Sequence, residues 1–225
     1  MGRKKFSKHW SCNIPKETSE QKLRWQGYRT VVGIDEVGRA ALAGPLVLGA
    51  VVLPEGARIQ ALRDSKLLTL QERERIASTI KRRALAWGIG IVSVSELNVY
   101  GLGAGLAIGA QRAVAALSYR PDVAIVDGRQ RFAGLSIPQQ TIVKADRTVR
   151  CVAAASVVAK VARDRMMRDL VEQFPGFACY GWQKNVGYPT RMHRQVLAAY
   201  GPTVHHRIQF APVRAAMTQQ LFMTG

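Results

Sequence analysis

The sequence predicts an α/β fold, because short runs with strand character alternate with longer helical segments. Five runs are rich in apolar or β-branched residues and end near Gly, Pro or charged residues, which is typical of strands. They cover residues 31–35, 47–53, 87–94, 123–126 and 140–143. Three segments have the spacing or the alanine content of helices, at about 70–84, 96–117 and 149–173. In a chain of 225 residues, of which 48% are hydrophobic, these elements suffice for a full core.

The first two predicted strands are joined by a glycine-rich turn and enclose three charges. By length and apolarity, residues 31–53 approach the roughly 20 apolar residues of a membrane span. Asp35, Glu36 and Arg39 would each cost about 2.5–3.5 kcal/mol at a bilayer centre, so two buried strands are the better interpretation. That interpretation leaves Asp35 and Glu36 side by side at the end of a core strand. Buried charges are costly unless they are paired, and hard divalent cations are the usual partners of clustered carboxylates.

The helical segments carry capping and packing signals. Thr69 with Glu72 three residues later is typical of a capping box, and Ser95 is a candidate N-cap for the helix that starts near Glu96. Four glycines lie within that second helix, at positions 101, 103, 105 and 109, and each costs about 1 kcal/mol relative to Ala. Either close packing or a kinked start would explain them. Alanines at positions 153, 154, 155 and 159 would let the third helix lie close to a sheet.

The chain is strongly basic, with a net charge of +18 and a sequence pI of about 10.7. Such a charge indicates a polyanionic partner, first nucleic acid and second an anionic membrane surface. The alternative is a Lys/Arg surface that serves only solubility. Residues 1–29 are predicted to form a basic arm with a short helix near 21–25, which either contacts phosphates or is simply solvated.

The cysteines indicate the redox environment. They lie far apart, at positions 12, 151 and 179, and fit neither a disulfide framework nor a zinc spacing. A reducing compartment is the simple inference. No secretory signal is visible, so we expect a cytoplasmic protein.

Four carboxylates lie at predicted strand ends or just beyond them: Asp35, Glu36, Asp127 and Asp146. In an α/β sheet, ligand sites gather at the carboxyl ends of strands, so these side chains would converge if their strands are neighbours. Two Mg²⁺ or Mn²⁺ ions about 3.5–4 Å apart would then activate a water and stabilise the leaving oxygen of a phosphodiester. With a basic surface to hold the strand being cut, this arrangement predicts a metal-dependent nuclease. The alternative is that the aspartates are only caps or turn formers.

Eight motifs, in their order along the chain, resemble the signature of the ribonuclease HII family. They are Gly33 to Arg39, Asp64-Ser65-Lys66, Glu96-Leu97-Asn98, Val126-Asp127-Gly128, Ala154 to Asp164, Gly187-Tyr188-Pro189-Thr190, Tyr200-Gly201-Pro202, and His206-Arg207 with Phe210 to Val213. One such motif would be a weak signal, whereas the ordered set is specific.

The resemblance implies a ribonuclease H-like fold, which is a five-stranded mixed sheet flanked by helices, with a C-terminal helical part. Residues 30–225 would form this domain, with a catalytic core at about 30–175 and the helical part at about 176–225. The resemblance implies a monomeric endonuclease, without membrane contact, that hydrolyses the RNA strand of RNA–DNA hybrids. It also implies incision on the 5′ side of ribonucleotides embedded in duplex DNA, which leaves 3′-hydroxyl and 5′-phosphate ends.

The resemblance also implies roles for individual residues. The catalytic ligands of two Mg²⁺ or Mn²⁺ ions would be Asp35, Glu36, Asp127 and Asp146. Gly38, Arg39 and Tyr188 match the positions that recognise the 2′-hydroxyl, which is the group that separates RNA from DNA. Ala40 takes the third position of the same substrate-binding motif, and Lys66 matches a phosphate-contacting lysine.

The chain departs from the family pattern in the substrate-binding motifs. Ala40 and Ala41 stand where the family has glycine and proline, Ala145 replaces a glycine, and Asn185 and Val186 replace a His-Lys pair. If the family's glycine needs a positive φ or a close approach to substrate, the methyl group of Ala40 weakens binding. These departures leave an alternative open: a hybrid- or RNA-binding protein whose nuclease activity is weakened or has relaxed specificity.

Several other polar residues are expected to lie outside the catalytic centre. Asp64 is predicted to form the loop before a helix, and His193 is predicted to be exposed on a helix. His205 and His206, beside Arg207, either contact phosphate or lie in a surface turn.

The arginines of the third long helix are predicted to form a solvated face. They lie at positions 163, 165 and 168. Asp164 and Asp169 are the expected partners in ion pairs along that helix.

Overall fold

The computed structural model describes residues 18–57, 59, 62, 69–118 and 120–223. Within these residues the strands are β1 (Val31–Val37), β2 (Leu46–Val52), β3 (Ala86–Val92), β4 (Val123–Asp127) and β5 (Gln139–Ile142). They form one sheet in the order β3-β2-β1-β4-β5. β1 pairs antiparallel with β2, and β2 with β3, whereas β1, β4 and β5 run parallel. The predicted α/β class and five-stranded mixed sheet are confirmed, and each predicted strand overlaps an observed one.

Helices cover both faces of the sheet. In the described residues they are α1 (Thr18–Trp25), α2 (Leu70–Arg83), α3 (Val94–Ala115), α4 (Ala145–Thr148), α5 (Arg150–Gln173), α6 (Trp182–Asn185), α7 (Arg191–Tyr200) and α8 (Ala211–Met223). A 3₁₀ helix, Pro175–Tyr180, joins α5 to α6. The elements after α5 pack into two small apolar clusters together with residues of α5 and of the turn after β1. None of the helices described here has the length and apolarity that a membrane crossing requires.

Helix α5 lies close to the centre of the sheet because glycines in β1 and β2 make room for it. A Cβ atom on Gly33 would lie 2.2 Å from the carbonyl carbon of Cys151, and one on Gly49 would lie 2.4 Å from the carbonyl oxygen of Ala155. The alanines of α5 that face this contact are fully buried. The prediction that alanines bring this helix close to a sheet is therefore confirmed, and the contact leaves α5 little freedom to shift.

Helix α3 begins earlier than predicted. Its N-cap is Ser93, whose hydroxyl accepts from the N–H of Glu96, while the Glu96 carboxylate accepts from the N–H of Ser93 at 2.9 Å. The prediction that Ser95 is the cap was wrong, because a capping box places the cap three residues before the glutamate. Both explanations of the glycines apply. Gly101 kinks the helix with a φ of 81°, and a Cβ on Gly109 would lie 2.2 Å from a leucine of β2.

Helix α1 docks on the N-terminus of α5. The carboxylate of Glu20 is buried and accepts a hydrogen bond from the backbone N–H of Cys151 at 2.9 Å. Val149, the N-cap of α5, has no side-chain acceptor, so Glu20 supplies one from a distant part of the chain, and its charge suits the helix dipole. Leu23 joins the apolar cluster on the same face of the sheet. The predicted short helix near 21–25 is thus present and packs against the core.

We expect Glu20→Ala to lower the free energy of unfolding by about 1–2 kcal/mol, because a buried helix N-terminus loses its capping acceptor. Glu20→Gln should recover part of this loss, since its amide oxygen still accepts the hydrogen bond. Urea unfolding measures both variants. Lys22→Ala, on the exposed side of α1, is the control and should stay within about 0.5 kcal/mol of wild type. Equal stability of Glu20→Ala and this control would contradict the capping role.

Candidate active site

Two of the predicted carboxylates lie on neighbouring parallel strands, at the point where the pairing between those two strands ends. Asp35 lies in β1 and Asp127 ends β4. The two strands pair in register up to Ile34 opposite Val126. Each aspartate directly follows that pair, so the two lie at the same edge of the sheet. Glu36, the next residue of β1, is partly buried at this edge.

Asp146 is tied to the same edge by the backbone of its neighbour. The N–H of Ala145 donates to Oδ1 of Asp127 at 2.7 Å, which fastens the start of α4 to the end of β4. Lys144, just before it, has a left-handed φ of 58° and turns the chain from β5 into the helix. Asp146 follows directly and is buried. The edge thus carries all four predicted carboxylates.

The carboxylates act on one another electrostatically. Asp35 is only 6% exposed, and this burial raises its pKa well above the ordinary range. The negative charges of Glu36, Asp127 and Asp146 raise the pKa of Asp35 further. The hydroxyl of Ser156 donates a hydrogen bond to Asp35 and opposes this rise. Since like charges are held together here, a cation at this edge would relieve their repulsion.

The chemistry of the donors fits a divalent cation, although the side chains are not gathered into a finished cage. Within the part of the chain that the structure describes, no three His, Cys, Asp or Glu side chains lie close enough together to hold a metal ion as they stand. Arg39 Nη1 lies 3.3 Å from Oε1 of Glu36 and takes up part of the negative charge. Burial raises the pKa of Glu36, and Arg39 opposes that rise. Carboxylate oxygens under mutual repulsion are the ligands that Mg²⁺ and Mn²⁺ prefer.

A groove of about 510 Å³ lies beside the carboxylates. Glu36 and Asp127 form part of its lining, together with Arg39, Arg129 and Arg131. Positive charge next to an acidic centre suits a polyanion whose backbone reacts at that centre.

The turn after β1 is held by Arg163, a fully buried side chain of α5. Its guanidinium donates to the carbonyl oxygens of Pro45 at 2.8 Å, Ala43 at 3.1 Å and Val186 at 2.8 Å. Burial lowers the pKa of Arg163. The prediction that Arg163 belongs to a solvated helix face was wrong, because its partners are backbone carbonyls from distant segments that no helical periodicity displays.

The other charged residues of α5 differ in their exposure to solvent. Arg165 and Asp169 form an exposed pair at 3.7 Å, as predicted. Asp164 is buried instead, and it pairs with Lys160 at 2.8 Å and with Arg73 of α2 at 3.2 Å. These contacts attach α2 to α5.

Arg207 holds the same turn from the C-terminal side. Its Nη1 donates to the carbonyl oxygen of Gly38 at 2.6 Å, and its Nε donates to that of Gly44 at 2.9 Å. Burial lowers the pKa of Arg207 to about 9, with the nearby charge of Arg163 as a further cause. Arg207 is only 1% exposed, so its guanidinium lies inside the protein.

Tyr188 lies against this turn. Its hydroxyl oxygen accepts a hydrogen bond from the N–H of Gly38 at 3.2 Å. The charges of Arg163 and Lys160 lie over its ring, 5.4 Å and 5.6 Å from the centroid. The predicted substrate-binding residues that the turn brings next to one another are Gly38, Arg39, Ala40 and Tyr188. Lys66 and Asp64 lie outside the described residues.

The alanines at positions 40 and 41 fit their backbone without strain. Ala40 is exposed, and the non-glycine residues with positive φ in the described part of the chain are Lys144 and Val186. Ala41 is buried, and its N–H donates to the carbonyl oxygen of Gly38 at 3.2 Å. A proline has no N–H and would remove this one hydrogen bond from the turn. The turn therefore forms without the glycine and proline of the family pattern.

The segment after α6 is tightly held as well. Asn185 donates to the carbonyl oxygen of Tyr180 at 2.7 Å, and its own side-chain oxygen accepts from the N–H of Gly187 at 2.9 Å. Val186 has a φ of 42°, which is a strained conformation for a β-branched residue. The bond from Arg163 to its carbonyl oxygen helps to hold it there.

Two histidines are buried between this segment and the C-terminal part. His193 is 0% exposed and His206 is 1% exposed, so the predictions of an exposed helix position and of a surface turn or phosphate contact were wrong for them. His193 faces the carbonyl oxygen of Tyr188, and the Nε2 atoms of the two rings lie 3.1 Å apart. Burial lowers the pKa of both rings, to about 3 for His206.

Sequence reasoning missed three residues that shape this site: Ser156, Arg163 and Arg207. Each is a polar residue whose hydrogen-bond partners are distant in sequence, so the spacing of residues along the chain does not reveal these contacts. The available signal was that all three lie within the motifs that resemble the ribonuclease HII family.

The family model described as Ribonuclease HII matches residues 32–213. The chain belongs to the ribonuclease HII family. A ribonuclease HII of Ruegeria pomeroyi is 43% identical over 201 residues, which cover 89% of this chain and 84% of that protein. A ribonuclease HII of Moorella thermoacetica is 44% identical over 191 residues, which cover 85% of this chain and 91% of that protein. Ribonuclease HII proteins are endonucleases with ribonuclease H activity, and the family depends on divalent metal ions.

Solved structures support the same assignment. The ribonuclease H2 from Pyrococcus horikoshii OT3 matches with a TM-score of 0.69 at 26% identity and covers 84% of this chain and 98% of that one. The ribonuclease HII from Archaeoglobus fulgidus, solved as a complex with PCNA, matches with a TM-score of 0.64 at 25% identity, over 80% of this chain and 93% of that one. Bst-RNase HIII, solved with Mn²⁺, matches with a TM-score of 0.63 over 84% of this chain and 69% of that one, and its 20% identity shows the fold alone.

We expect His206 to make the stability of the fold depend on pH. Its pKa rises from about 3 in the folded protein to about 6.5 on unfolding, so below pH 6.5 only the unfolded chain takes up the proton. Stability is therefore lost as the pH falls from 6.5 towards 3, by up to about 1.4 kcal/mol per pH unit from this one group. His206→Gln removes the effect. Urea unfolding of both proteins between pH 7 and about pH 5 should show the wild type losing stability faster, and parallel losses would exclude the effect.

Proposed function

We propose that this chain hydrolyses the RNA strand of RNA–DNA hybrids and incises duplex DNA on the 5′ side of an embedded ribonucleotide. The products would carry 3′-hydroxyl and 5′-phosphate ends. The observation that carries the proposal is Asp35, a buried carboxyl of β1 just beyond the last residue pair with β4, whose pKa is raised by burial and by three further carboxylates. Such a group gains strongly from a divalent cation, and the arginine-lined groove beside it suits a nucleic acid backbone.

The metal ligands in this proposal are Asp35, Glu36, Asp127 and Asp146, which would hold two Mg²⁺ or Mn²⁺ ions. When bound, these ions supply an activated water and stabilise charge on the leaving 3′-oxygen of the phosphodiester. The chain itself orients the ligands. Asp35 accepts from the N–H of Glu36 at 2.8 Å and from the hydroxyl of Ser156, and Asp127 accepts from the N–H of Ala145.

Recognition of the ribonucleotide is proposed to occur beside Gly38. The hydroxyl oxygen of Tyr188 accepts from the N–H of Gly38, so the hydroxyl proton of Tyr188 can be donated to a 2′-hydroxyl. Deoxyribose lacks that group, so the contact would favour RNA over DNA. Arg39 and Ala40 are exposed next to Gly38 on the side open to substrate, and Lys66 would contact a phosphate.

The alternative of a binding protein with weakened or relaxed nuclease activity gains no support from the described residues. Ala40 has no positive φ, and Asn185 is engaged by neighbouring backbone groups. Val186 is the one of these departures with a strained backbone, at a φ of 42°, and the bond from Arg163 to its carbonyl oxygen helps to hold it there.

We expect Asp35→Asn and Asp146→Asn each to reduce incision by at least about 10³-fold, because loss of a ligand removes several kcal/mol of metal-dependent stabilisation. The assay is cleavage of a labelled DNA duplex that contains one ribonucleotide, in Mg²⁺ and in Mn²⁺. Asp169→Asn, which removes an exposed carboxylate of α5, is the matched control and should cleave at the wild-type rate.

Thermal unfolding should show Asp35→Asn to be at least as stable as wild type, since a repelled buried charge is removed. If either site variant cleaves at the wild-type rate, the substituted residue is not a metal ligand.

We expect Ala40→Gly to change incision at a single ribonucleotide, relative to cleavage of a long RNA–DNA hybrid, by less than about threefold. The reason is that Ala40 is exposed and has no positive φ, so glycine relieves no strain. The measurement is kcat/KM on the two substrates side by side. A tenfold rise in the ratio would instead show that the methyl group obstructs the ribonucleotide.

A further inference from the structure

A chain of hydrogen bonds links the C-terminal segment to Tyr188 through two imidazoles. The N–H of Thr203 lies 2.9 Å from Nδ1 of His206, whose Nε2 lies 3.1 Å from Nε2 of His193. Nδ1 of His193 in turn lies 3.0 Å from the carbonyl oxygen of Tyr188. The two ends fix the direction of the chain, because a backbone N–H can only donate and a carbonyl oxygen can only accept.

This direction assigns a tautomer to each ring. Nδ1 of His206 accepts from Thr203, so the His206 proton lies on Nε2 and is donated to His193. Nε2 of His193 accepts, and its single lone pair is shared between His206 and the indole N–H of Trp182 at 3.3 Å, so the His193 proton lies on Nδ1 and is donated to Tyr188. Protonating either ring would set two N–H groups against each other. The contacts therefore require two neutral imidazoles of opposite tautomer.

The surroundings of the two rings favour this neutral state. Both are almost fully buried, and burial lowers the pKa of each. Tyr180 and Trp182 pack their rings against both imidazoles. His205, a third imidazole nearby, also has a pKa lowered by burial, and burial raises the pKa of the Tyr180 hydroxyl.

The segment that carries His206 also holds the turn that Tyr188 contacts. Arg207, the next residue, donates to the carbonyl oxygen of Gly38, while the N–H of Gly38 donates to the hydroxyl of Tyr188. The backbone of His206 forms a bridge with Ala43 in the same turn. Two adjacent residues thus hold the two parts of the proposed ribose site, one through Gly38 and the other through Tyr188.

We propose that His206 and His193 are positioning residues that hold Tyr188 in place for recognition of the ribonucleotide. This inference rests on the proposed role of Tyr188. The imidazoles act through the carbonyl oxygen of Tyr188, which also accepts from the N–H of Thr190 at 2.8 Å. Loss of the His193 donor leaves this carbonyl with weaker support, so the tyrosine ring can move away from Gly38 and the preference for a 2′-hydroxyl falls.

The first test is the protonation of the rings in the wild-type protein without substrate. Correlation spectra of ¹⁵N-labelled protein distinguish a ring nitrogen that carries a proton from one that does not. We expect the proton on Nε2 of His206 and on Nδ1 of His193, with both rings neutral from neutral pH into mild acid. A cationic ring, or the same tautomer in both rings, would overturn the inference whatever the substrate of the protein is.

The second test compares variants that keep or remove the donor. His193→Asn places an amide N–H near the position of Nδ1, whereas His193→Phe keeps a ring of similar size without a donor. Fluorescence anisotropy without divalent ions measures binding to a duplex with one ribonucleotide and to an all-DNA duplex of the same sequence. We expect His193→Phe to lower the preference for the ribonucleotide roughly tenfold, and His193→Asn to recover most of it. Affinity for the all-DNA duplex should not change.

Tyr188→Phe separates the inference from the proposed function. If it lowers the preference while a folded His193→Phe does not, the positioning role is wrong and the proposed function stands. If neither variant changes the preference, the role of Tyr188 is wrong and the inference falls with it. Should His193→Phe fail to fold, His206→Phe and His206→Gln make the same comparison, because the glutamine retains a donor near the position of Nε2. Equal preference in those two variants would overturn the inference.

Discussion

A buried guanidinium costs less when its N–H groups find acceptors, and this requirement shapes the turn that follows β1. Arg163 donates to three backbone carbonyls, and Arg207 donates to backbone carbonyls from Nε and Nη1, whereas its Nη2 has no partner among the described residues. The carbonyls belong to the turn itself and to Val186, so a shift of either segment would leave a buried charge without partners. Gly38 and Tyr188 are therefore held in contact with two buried cations.

Helix α5 connects this turn to the acidic edge of the sheet. The helix is set close to the sheet by Gly33 and Gly49, and it carries both Arg163 and Ser156, which donates to Asp35. The carboxylates at this edge repel one another, and the buried Asp35 opposes folding when it is charged. Rigid packing around them offsets that cost and keeps the carboxylates close together.

The sequence was sufficient for the parts of the fold that follow local rules. Strand character and strand-end carboxylates located the sheet and its acidic edge, and the Thr69 capping box is present in the structure. The start of α3 was misplaced because the serine nearest the helix was preferred to the one at capping-box distance, Ser93. The same spacing rule would have found it.

The polar interior could not be predicted in this way. Arg163 and His193 occupy helix positions that are usually solvated, and their partners are backbone groups from segments far away in sequence. Whether such a side chain is buried depends on which loop crosses its helix, and a single helix pattern holds no information about that. Arg163 lies within one of the family motifs, which marks the residue but does not give the reason, and His193 lies outside them.

The turn closed by Ala41 limits how the loops of related enzymes can be exchanged. Its amide contributes a hydrogen bond to Gly38 that a proline ring would remove, whereas Ala40 faces solvent and is open to replacement. The two neighbouring positions are therefore not equivalent, because the side chain at position 40 is exposed whereas the N–H at position 41 takes part in the turn. A chimera that imports both residues together would combine a change at an exposed position with the loss of one backbone hydrogen bond, so its behaviour would not assign an effect to either position alone.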